Sequence, residues 1–131
     1  MKIHHIGYLV NNIDSAVLSF EKLGFDLVSP ITEDKMRNVL ICFLENNGYR
    51  VELVSPVGRD SDVYNLMKKK KNSPYHLCYE VNDIERSLEE YCAANESLII
   101  QPPKPAIAIE NRKVAFVMHK DLGIIEFVET P

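Results

Sequence analysis

The stretch Tyr75–Leu88, YHLCYEVNDIERSL, decides the fold, because it repeats the stretch His4–Val17, HHIGYLVNNIDSAV, which lies 71 positions earlier. At this offset His76 falls on His5, and a Tyr, a Val, an Asn and an Ile follow at matching positions. Each copy reads as a short strand, an Asn/Asp turn and an amphipathic helix. An internal repeat of this kind predicts that the chain consists of two equivalent modules.

A downstream strand in each copy carries one glutamate. Glu52 lies in YRVELVSP and Glu126 lies in GIIEFVETP, at an offset of 74 residues. Imidazole nitrogens and carboxylate oxygens are ligands for divalent cations, and a mixed set leaves coordination positions for water or substrate. The pattern therefore predicts a metal site; the alternative is a duplicated scaffold that has lost its metal. The predicted ligands are His5, Glu52, His76 and Glu126.

The two remaining histidines are predicted not to bind the metal. His4 has no counterpart in the second copy, and strand alternation points its side chain to the face opposite that of His5. His119 lies in a predicted turn and is expected to be exposed to solvent.

The composition bounds the class of protein. With 131 residues, of which 46% are hydrophobic, the chain is long enough for one ordinary domain. A net charge of −4 argues against nucleic acid as the main partner. No apolar run approaches the roughly 20 residues of a membrane span, and the start of the chain does not read as a signal peptide. Three cysteines without CxxC spacing favour free thiols and a cytoplasmic location.

Each half is predicted to have the element order β-α-β-β-β. The two repeats, about 1–56 and 74–131, would form a single domain over 1–131, joined by a linker over 57–73. The first helix begins near Ile13, and its core-facing stripe reaches Leu23. The other expected elements are a loop over Thr32–Arg37, a hairpin turn at Asn46-Asn47-Gly48, a short helix within Asp62–Lys71, and a strand Leu98–Gln101 ended by Pro102-Pro103.

The paired HxxxxV strand–helix units and the (V/I)ExV strands resemble the vicinal oxygen chelate superfamily, over essentially the whole chain. The resemblance implies an α+β fold in which two βαβββ modules form a cupped eight-stranded mixed sheet around one metal. It places the family's ligands on the same four residues and implies a homodimer. The segments HHIGYLVNNIDSAV, YRVELVSP, YHLCYEVNDI and GIIEFVE are most similar to methylmalonyl-CoA epimerases and, more distantly, to glyoxalase I.

Two positions depart from these relatives. Epimerases of this kind carry a second catalytic glutamate at the position of about Ile41, and no acid lies within Val39–Leu44. Glyoxalase I has an arginine at the position of Leu9. Both reactions remove a proton next to a metal-bound carbonyl, and a ligand glutamate that detaches from the metal can do this. Glu126 and Glu52 are therefore the predicted catalytic residues.

Three further side chains are predicted to contact the substrate. Arg50 shares a strand face with Glu52, where it would bind a carboxylate or thioester oxygen or form a surface ion pair near the hairpin turn. Cys78 and Glu80 share the face of His76 and would line the cleft. The basic run Lys68–Lys71 would be either a solvated end of the linker or a contact for coenzyme A phosphates.

The favoured hypothesis is a metal-dependent isomerase or epimerase that uses Zn, Ni, Co or Mn and acts on an acyl-CoA. A glyoxalase I-like lactoylthiol lyase acting on a hemithioacetal is the first alternative. A non-catalytic, antibiotic-binding protein is the second, although such binders do not need all four ligands. An Fe(II) ring-cleaving dioxygenase normally uses two histidines and one glutamate, so the fourth ligand disfavours it.

Overall fold

A computed structural model describes the whole chain, residues 1–131. It contains three α-helices and a nine-stranded mixed sheet, which confirms the predicted α+β class. The helices are α1 (Ile13–Glu21), α2 (Tyr64–Lys70) and α3 (Ile84–Asn95). The strands are β1 (Lys2–Leu9), β2 (Asp26–Leu27), β3 (Thr32–Asp34), β4 (Val39–Asn46), β5 (Tyr49–Pro56), β6 (Ser73–Val81), β7 (Leu98–Ala106), β8 (Arg112–His119) and β9 (Gly123–Glu129). None of the helices is long and apolar enough to cross a membrane.

The chain divides into two compact units. The first unit comprises Ile6–Pro74, and the second comprises Met1–His5 together with Tyr75–Pro131. The start of β1, which carries His5, therefore belongs to the same unit as the second repeat.

In the first unit the strand order is β2-β4-β5-β1, and β3 pairs with the start of β4. Strands β1 and β5 run parallel, whereas β4 and β5 form an antiparallel hairpin. Helix α1 buries Ile13 and Val17 against Leu44 and Leu53 of that hairpin. These apolar contacts hold β5, and with it Glu52, in a fixed position.

In the second unit the strand order is β6-β9-β8-β7, with β6 and β9 parallel. Helix α3 buries Ile84 and Leu88 in a cluster that includes Val117 of β8 and Phe127 of β9. Strands β6 and β9 alternate between this core and the opposite face, where their polar side chains lie.

The duplication extends to the helix caps. The side chain of Asn12 accepts a hydrogen bond from the backbone N–H of Ser15 at 3.0 Å, and that of Asp83 accepts one from Arg86 at 3.0 Å. Each bond satisfies one of the orphan donors at the start of its helix. Both repeats therefore turn from strand into helix by the same device, as their sequences predict.

Three local predictions are wrong. Leu23 is 71% exposed rather than part of the core stripe, because α1 ends at Glu21 and the chain turns at Gly24, where φ is +92°. Thr32–Asp34, expected to be a loop, forms β3 by pairing with β4, and it is the additional ninth strand. Strand β7 continues through its prolines to Ala106, with register shifts, because it lies at the edge of the sheet and needs no donor there.

Truncation of Phe127 tests the core of the second unit. Phe127 is fully buried, so Phe127→Ala is expected to lower the free energy of unfolding by about 3–5 kcal/mol. Leu98, which is 72% exposed on β7, provides the control, and Leu98→Ala should change the free energy by less than about 0.5 kcal/mol. Urea unfolding followed by circular dichroism measures both, and equal effects would contradict this assignment of the core.

Candidate metal centre

Strands β6 and β9 place His76 and Glu126 on one face of the second unit. Glu126 pairs with Cys78 across the two parallel strands, and His76 lies two residues before Cys78 on the same face. His5, at the end of the β1 segment that belongs to this unit, is the third member of the cluster. The exposed fractions of His5, His76 and Glu126 are 1%, 5% and 2%, so water has almost no access to these side chains.

Two nitrogens and one oxygen converge within this cluster. His5 Nε2 lies 3.1 Å from His76 Nε2. Glu126 Oε2 lies 2.7 Å from His76 Nε2 and 3.3 Å from His5 Nε2. Each residue thus presents the atom with which it would bind a metal.

These separations fit a divalent metal ion. With metal–ligand bonds of about 2.0–2.1 Å, neighbouring ligand atoms in tetrahedral or octahedral geometry lie about 2.9–3.4 Å apart. The 3.1 and 3.3 Å separations fall within this range, and the 2.7 Å separation is slightly shorter. In addition, Glu126 Oε2 is buried between the two imidazoles, and a buried carboxylate is costly unless a cation meets it.

Glu126 is held in the form that binds a metal. Burial raises the pKa of its carboxyl group, but the favourable interactions with His5 and His76 outweigh burial and hold the pKa below its ordinary value. The carboxylate is therefore ionised at neutral pH. The same negative charge is what a divalent cation requires from a ligand in a site shielded from water.

Glu52 occupies the position in the first unit that Glu126 occupies in the second. It is 4% exposed and pairs with Gly7, two residues after His5, across the parallel strands β1 and β5. Glu126 likewise pairs with Cys78, two residues after His76. The two repeats therefore share one strand register, although three residues were gained between the histidine and the glutamate of the second copy.

Cys42 is not a candidate nucleophile. It is fully buried on β4, and burial, followed by the negative charges of Glu52 and Asp14, raises its pKa to about 12. The group is thus a neutral thiol at physiological pH, and thiolates rather than thiols are the reactive form. None of Cys42, Cys78 and Cys92 forms a disulfide, as the sequence predicts.

The predicted substrate-binding residues have different environments. Arg50 donates from Nε to Glu45 Oε1 at 2.9 Å beside the hairpin turn, and both side chains are more than one-third exposed. This is the ion pair that the sequence left open as an alternative. Cys78 is fully buried next to Glu126 in the sheet register. Glu80 accepts a hydrogen bond from Arg112 Nη2 at 2.5 Å, which ties up one of its oxygens.

Sequence reasoning missed two residues that border the cluster. His4, expected to point away from His5, instead brings its Nδ1 to 2.8 Å from His5 Nδ1. Arg112, at the start of β8, places Nη1 at 3.5 Å from His4 Nε2 and donates from Nε to the carbonyl of Glu129 at 2.6 Å. The adjacent histidines were the available signal for the first contact, and nothing in the repeat pattern indicates the second.

The Glu80–Arg112 pair predicts a pH dependence of stability. The hydrogen bond from Arg112, opposed by burial, holds the pKa of Glu80 below its ordinary value of 4.5. A depressed pKa in the folded state contributes stability above the unfolded value, and that contribution is lost as the pH falls through the folded value. Wild type should therefore have a higher free energy of unfolding than Glu80→Gln at neutral pH. This difference should shrink below about pH 4.5.

Urea unfolding between neutral pH and about pH 3 measures this difference. Glu89→Gln, which removes an exposed carboxylate from α3, is the matched control. A difference between wild type and Glu80→Gln that does not change over this range would contradict the assignment of the pair.

Comparison with known proteins agrees with this fold. A methylmalonyl-CoA epimerase of Dictyostelium discoideum is 25% identical over 93% of this chain and 73% of its own length. An ethylmalonyl-CoA/methylmalonyl-CoA epimerase of Cereibacter sphaeroides is 24% identical over 93% of this chain and 91% of its own. The structure of Streptomyces coelicolor methylmalonyl-CoA epimerase in complex with 2-nitronate-propionyl-CoA superposes with a TM-score of 0.84 at 18% identity, covering 99% of this chain and 97% of that one.

The family model of the Glyoxalase/Bleomycin resistance protein/Dioxygenase superfamily matches residues 4–116, which cover the first repeat and the second repeat as far as the middle of β8. Together with the repeated strand–helix units, this match shows that the chain belongs to that superfamily.

Proposed function

We propose that this protein is a metal-dependent epimerase or isomerase that acts on an acyl-CoA thioester by moving a proton on the carbon next to the carbonyl. The observation that carries the proposal is the convergence of His5 Nε2, His76 Nε2 and Glu126 Oε2 in a place shielded from water. Buried groups of this kind are costly to fold without a ligand, so a function in binding explains their presence.

One divalent ion, Zn, Ni, Co or Mn, would be held by His5, His76 and Glu126, with Glu52 as the fourth ligand. The support for Glu52 is its burial and its register, which repeats that of Glu126. Together these residues would supply two imidazoles and two carboxylates as ligands. Such an ion acts as a Lewis acid that polarises a carbonyl and makes the neighbouring C–H more acidic.

Glu126 is the proposed base that removes this proton. Its carboxyl group is ionised, because its pKa is held below the ordinary value. Contacts with His5 and His76 hold the carboxylate in position. Phe116 packs against the His76 ring with centroids 5.5 Å apart, so an apolar group holds the imidazole in place and keeps water out. A carboxylate in such surroundings accepts a proton from carbon without competition from solvent.

Epimerisation also needs a proton donor on the opposite side of the reacting carbon. On β4 the residues paired with Glu52 and Val54 are Phe43 and Ile41, and neither side chain can transfer a proton. Glu52 is therefore the proposed second proton carrier. One carboxyl group would take a proton from one face of the carbon, and the other, already protonated, would give one to the opposite face. Exchange of both groups with solvent would then restore the starting state, so the overall reaction is balanced.

The acyl-CoA class is favoured over a hemithioacetal. Relatives named as methylmalonyl-CoA epimerases match over 93% of the chain, and the superposed Streptomyces coelicolor enzyme contains an acyl-CoA analogue. Leu9, at the position where glyoxalase I has an arginine, is fully buried and offers no charge to a glutathione carboxylate. The exposed lysines Lys68–Lys70 on α2 remain a proposed contact for coenzyme A phosphates.

The proposal is tested with a single epimer of methylmalonyl-CoA and metal-loaded protein. The other epimer should appear, as resolved by chiral chromatography after hydrolysis, and Arg50→Ala and Lys69→Ala should show whether these side chains lower KM. Conversion of a methylglyoxal–thiol hemithioacetal instead would favour the lyase. Tight binding of small molecules without turnover of any of them would favour a binding protein. Sedimentation analysis tests the predicted homodimer.

A further inference from the structure

The face of the second unit that carries His76 and Glu126 continues into a row of apolar side chains. Residues directly opposite each other on neighbouring strands point to the same side of a sheet. Ile124 of β9 pairs with His76 of β6 and, on its other side, with Met118 of β8. Met118 in turn pairs with Leu98 of β7. The face of His76 therefore also carries Leu98, Met118 and Ile124, here called the apolar row.

The apolar row is open to solvent. Leu98 is 72% exposed and Met118 is 40% exposed, while Ile124 is half-buried. Val117 and Ile125, which alternate with the row along β8 and β9, point the other way and are buried in the core with α3. The core of the unit is therefore complete without the row. Adjoining apolar side chains that a fold leaves exposed are typical of surfaces that bind a ligand or a partner.

The opposite end of the same face is polar. Val128 follows Glu126 on this face of β9, and it pairs with Glu80 of β6. Glu80 accepts a hydrogen bond from Arg112 at the start of β8. The metal cluster thus lies between a charged end and an apolar end. The hydrocarbon part of a substrate would lie toward the apolar row, because covering the charged pair would remove it from water at a cost.

The apolar row is within reach of a chain that starts at the metal cluster. Phe116 pairs with Glu126, and Met118 and Leu98 lie one row further along β8 and β7. With strands about 4.8 Å apart and residues about 3.4 Å apart along each strand, the Cα atoms of Met118 and Leu98 lie about 8 and 12 Å from that of Glu126. A propionyl group would end beside the metal, whereas an octanoyl chain is long enough to lie over the row. The Phe116 ring, which packs against His76, extends the apolar surface back to the cluster.

We propose that the apolar row binds the hydrocarbon chain of the acyl group, and that the protein prefers acyl-CoA thioesters with a longer chain than that of methylmalonyl-CoA. The acyl carbonyl would lie at the metal cluster, and the chain would run across β8 toward β7. This inference rests on the acyl-CoA class proposed above. It adds which part of the substrate is selected and which side chains select it.

The dependence of affinity on chain length tests the inference. Calorimetric titration of zinc-loaded protein with butyryl-CoA and with octanoyl-CoA measures both affinities independently of turnover. Each methylene group that leaves water strengthens binding by up to about fourfold, so octanoyl-CoA should bind at least about tenfold more tightly than butyryl-CoA. Equal affinities for the two thioesters would overturn the inference.

Variants test whether the apolar row is the source of this preference. Met118→Gln and Leu98→Gln keep most of the side-chain volume but replace its apolar end with an amide. Each should weaken binding of octanoyl-CoA several-fold and leave that of butyryl-CoA nearly unchanged, because only the longer chain reaches the row. Ile99→Gln is the matched control, since Ile99 is 49% exposed on β7 but pairs with Val117 on the opposite face. A preference that survives in Met118→Gln, Leu98→Gln and the double variant would overturn the assignment of the row.

Exchange of the proton next to the carbonyl in D₂O, measured with both thioesters, separates this inference from the proposed function. If octanoyl-CoA binds more tightly through the row but exchanges no proton, the row is assigned correctly and the reaction is wrong. If both thioesters exchange and bind equally well, only the row is wrong. If neither binds, both are wrong. If Met118→Gln or Leu98→Gln instead turns a dimer into a monomer in sedimentation analysis, the row contacts a second copy of the chain and the inference is overturned. If the variants do not fold, the chain-length series of wild type still decides.

Discussion

Replacing His76 with alanine should abolish tight metal binding and, with it, activity. His76 Nε2 lies 3.1 Å from His5 Nε2 and 2.7 Å from Glu126 Oε2, so its loss removes the nitrogen that is close to both other ligand atoms. Removing even an indirect partner of a metal ligand typically costs 10–100-fold in affinity, so the loss of a ligand should cost more than about 100-fold. Mass spectrometry of metal content measures the effect in protein purified without an affinity tag.

His119→Ala is the matched control for this experiment. It also removes one imidazole, but His119 Nδ1 accepts hydrogen bonds from the backbone of Asp121 and Leu122 in the turn between β8 and β9. This variant should keep its metal. Equal metal content in folded His76→Ala and wild type would contradict the assignment of His76 as a ligand.

Glu126→Gln should separate proton transfer from the shape of the site. Glutamine has nearly the same volume and keeps an oxygen for the metal, but its amide cannot accept a proton from carbon. A general base typically contributes 10²–10⁴-fold, so kcat for epimerisation should fall by about that factor. Because the pKa of Glu126 is held below its ordinary value, wild type should keep its base ionised throughout the neutral range.

The control for Glu126→Gln is Glu45→Gln, which breaks the partly exposed pair with Arg50 and leaves the buried cluster intact. Its kcat should stay close to that of wild type. If Glu126→Gln retains full kcat, another group is the base. If Glu52→Gln alone then stops turnover, the proton is removed from the opposite side of the substrate.

The duplication made much of the fold and site predictable. A strand, a helix cap and a helix recur at a constant offset. Residues that match across the repeats therefore occupy equivalent positions in the two units. His5 and His76 match in this way, and the strand register shows that Glu52 and Glu126 do as well. The apolar periodicity of each helix predicted which side chains are buried. Ile13 and Ile84, the equivalent first residues of α1 and α3, both lie in the core of their unit.

Features that the repeats do not share were harder to predict. Strand β3 exists because Thr32–Asp34 finds a partner in β4, and its polar sequence gives no sign of pairing. The contacts of His4 and Arg112 join residues 108 positions apart, and no local pattern encodes such a distance. Both features depend on contacts between segments that are separated in the sequence. Such contacts override the local propensity of each segment, so they cannot be predicted from it.

The most direct test of the central claim is metal-dependent exchange of the proton next to the carbonyl. Wild type would be incubated in D₂O with propionyl-CoA and methylmalonyl-CoA, and the products analysed by mass spectrometry and NMR. Metal-loaded protein should introduce deuterium on the carbon next to the thioester carbonyl, a chelator should stop the exchange, and added metal should restore it. Protein that holds its metal but exchanges no proton on any acyl-CoA, or exchange that is indifferent to the chelator, would contradict the claim.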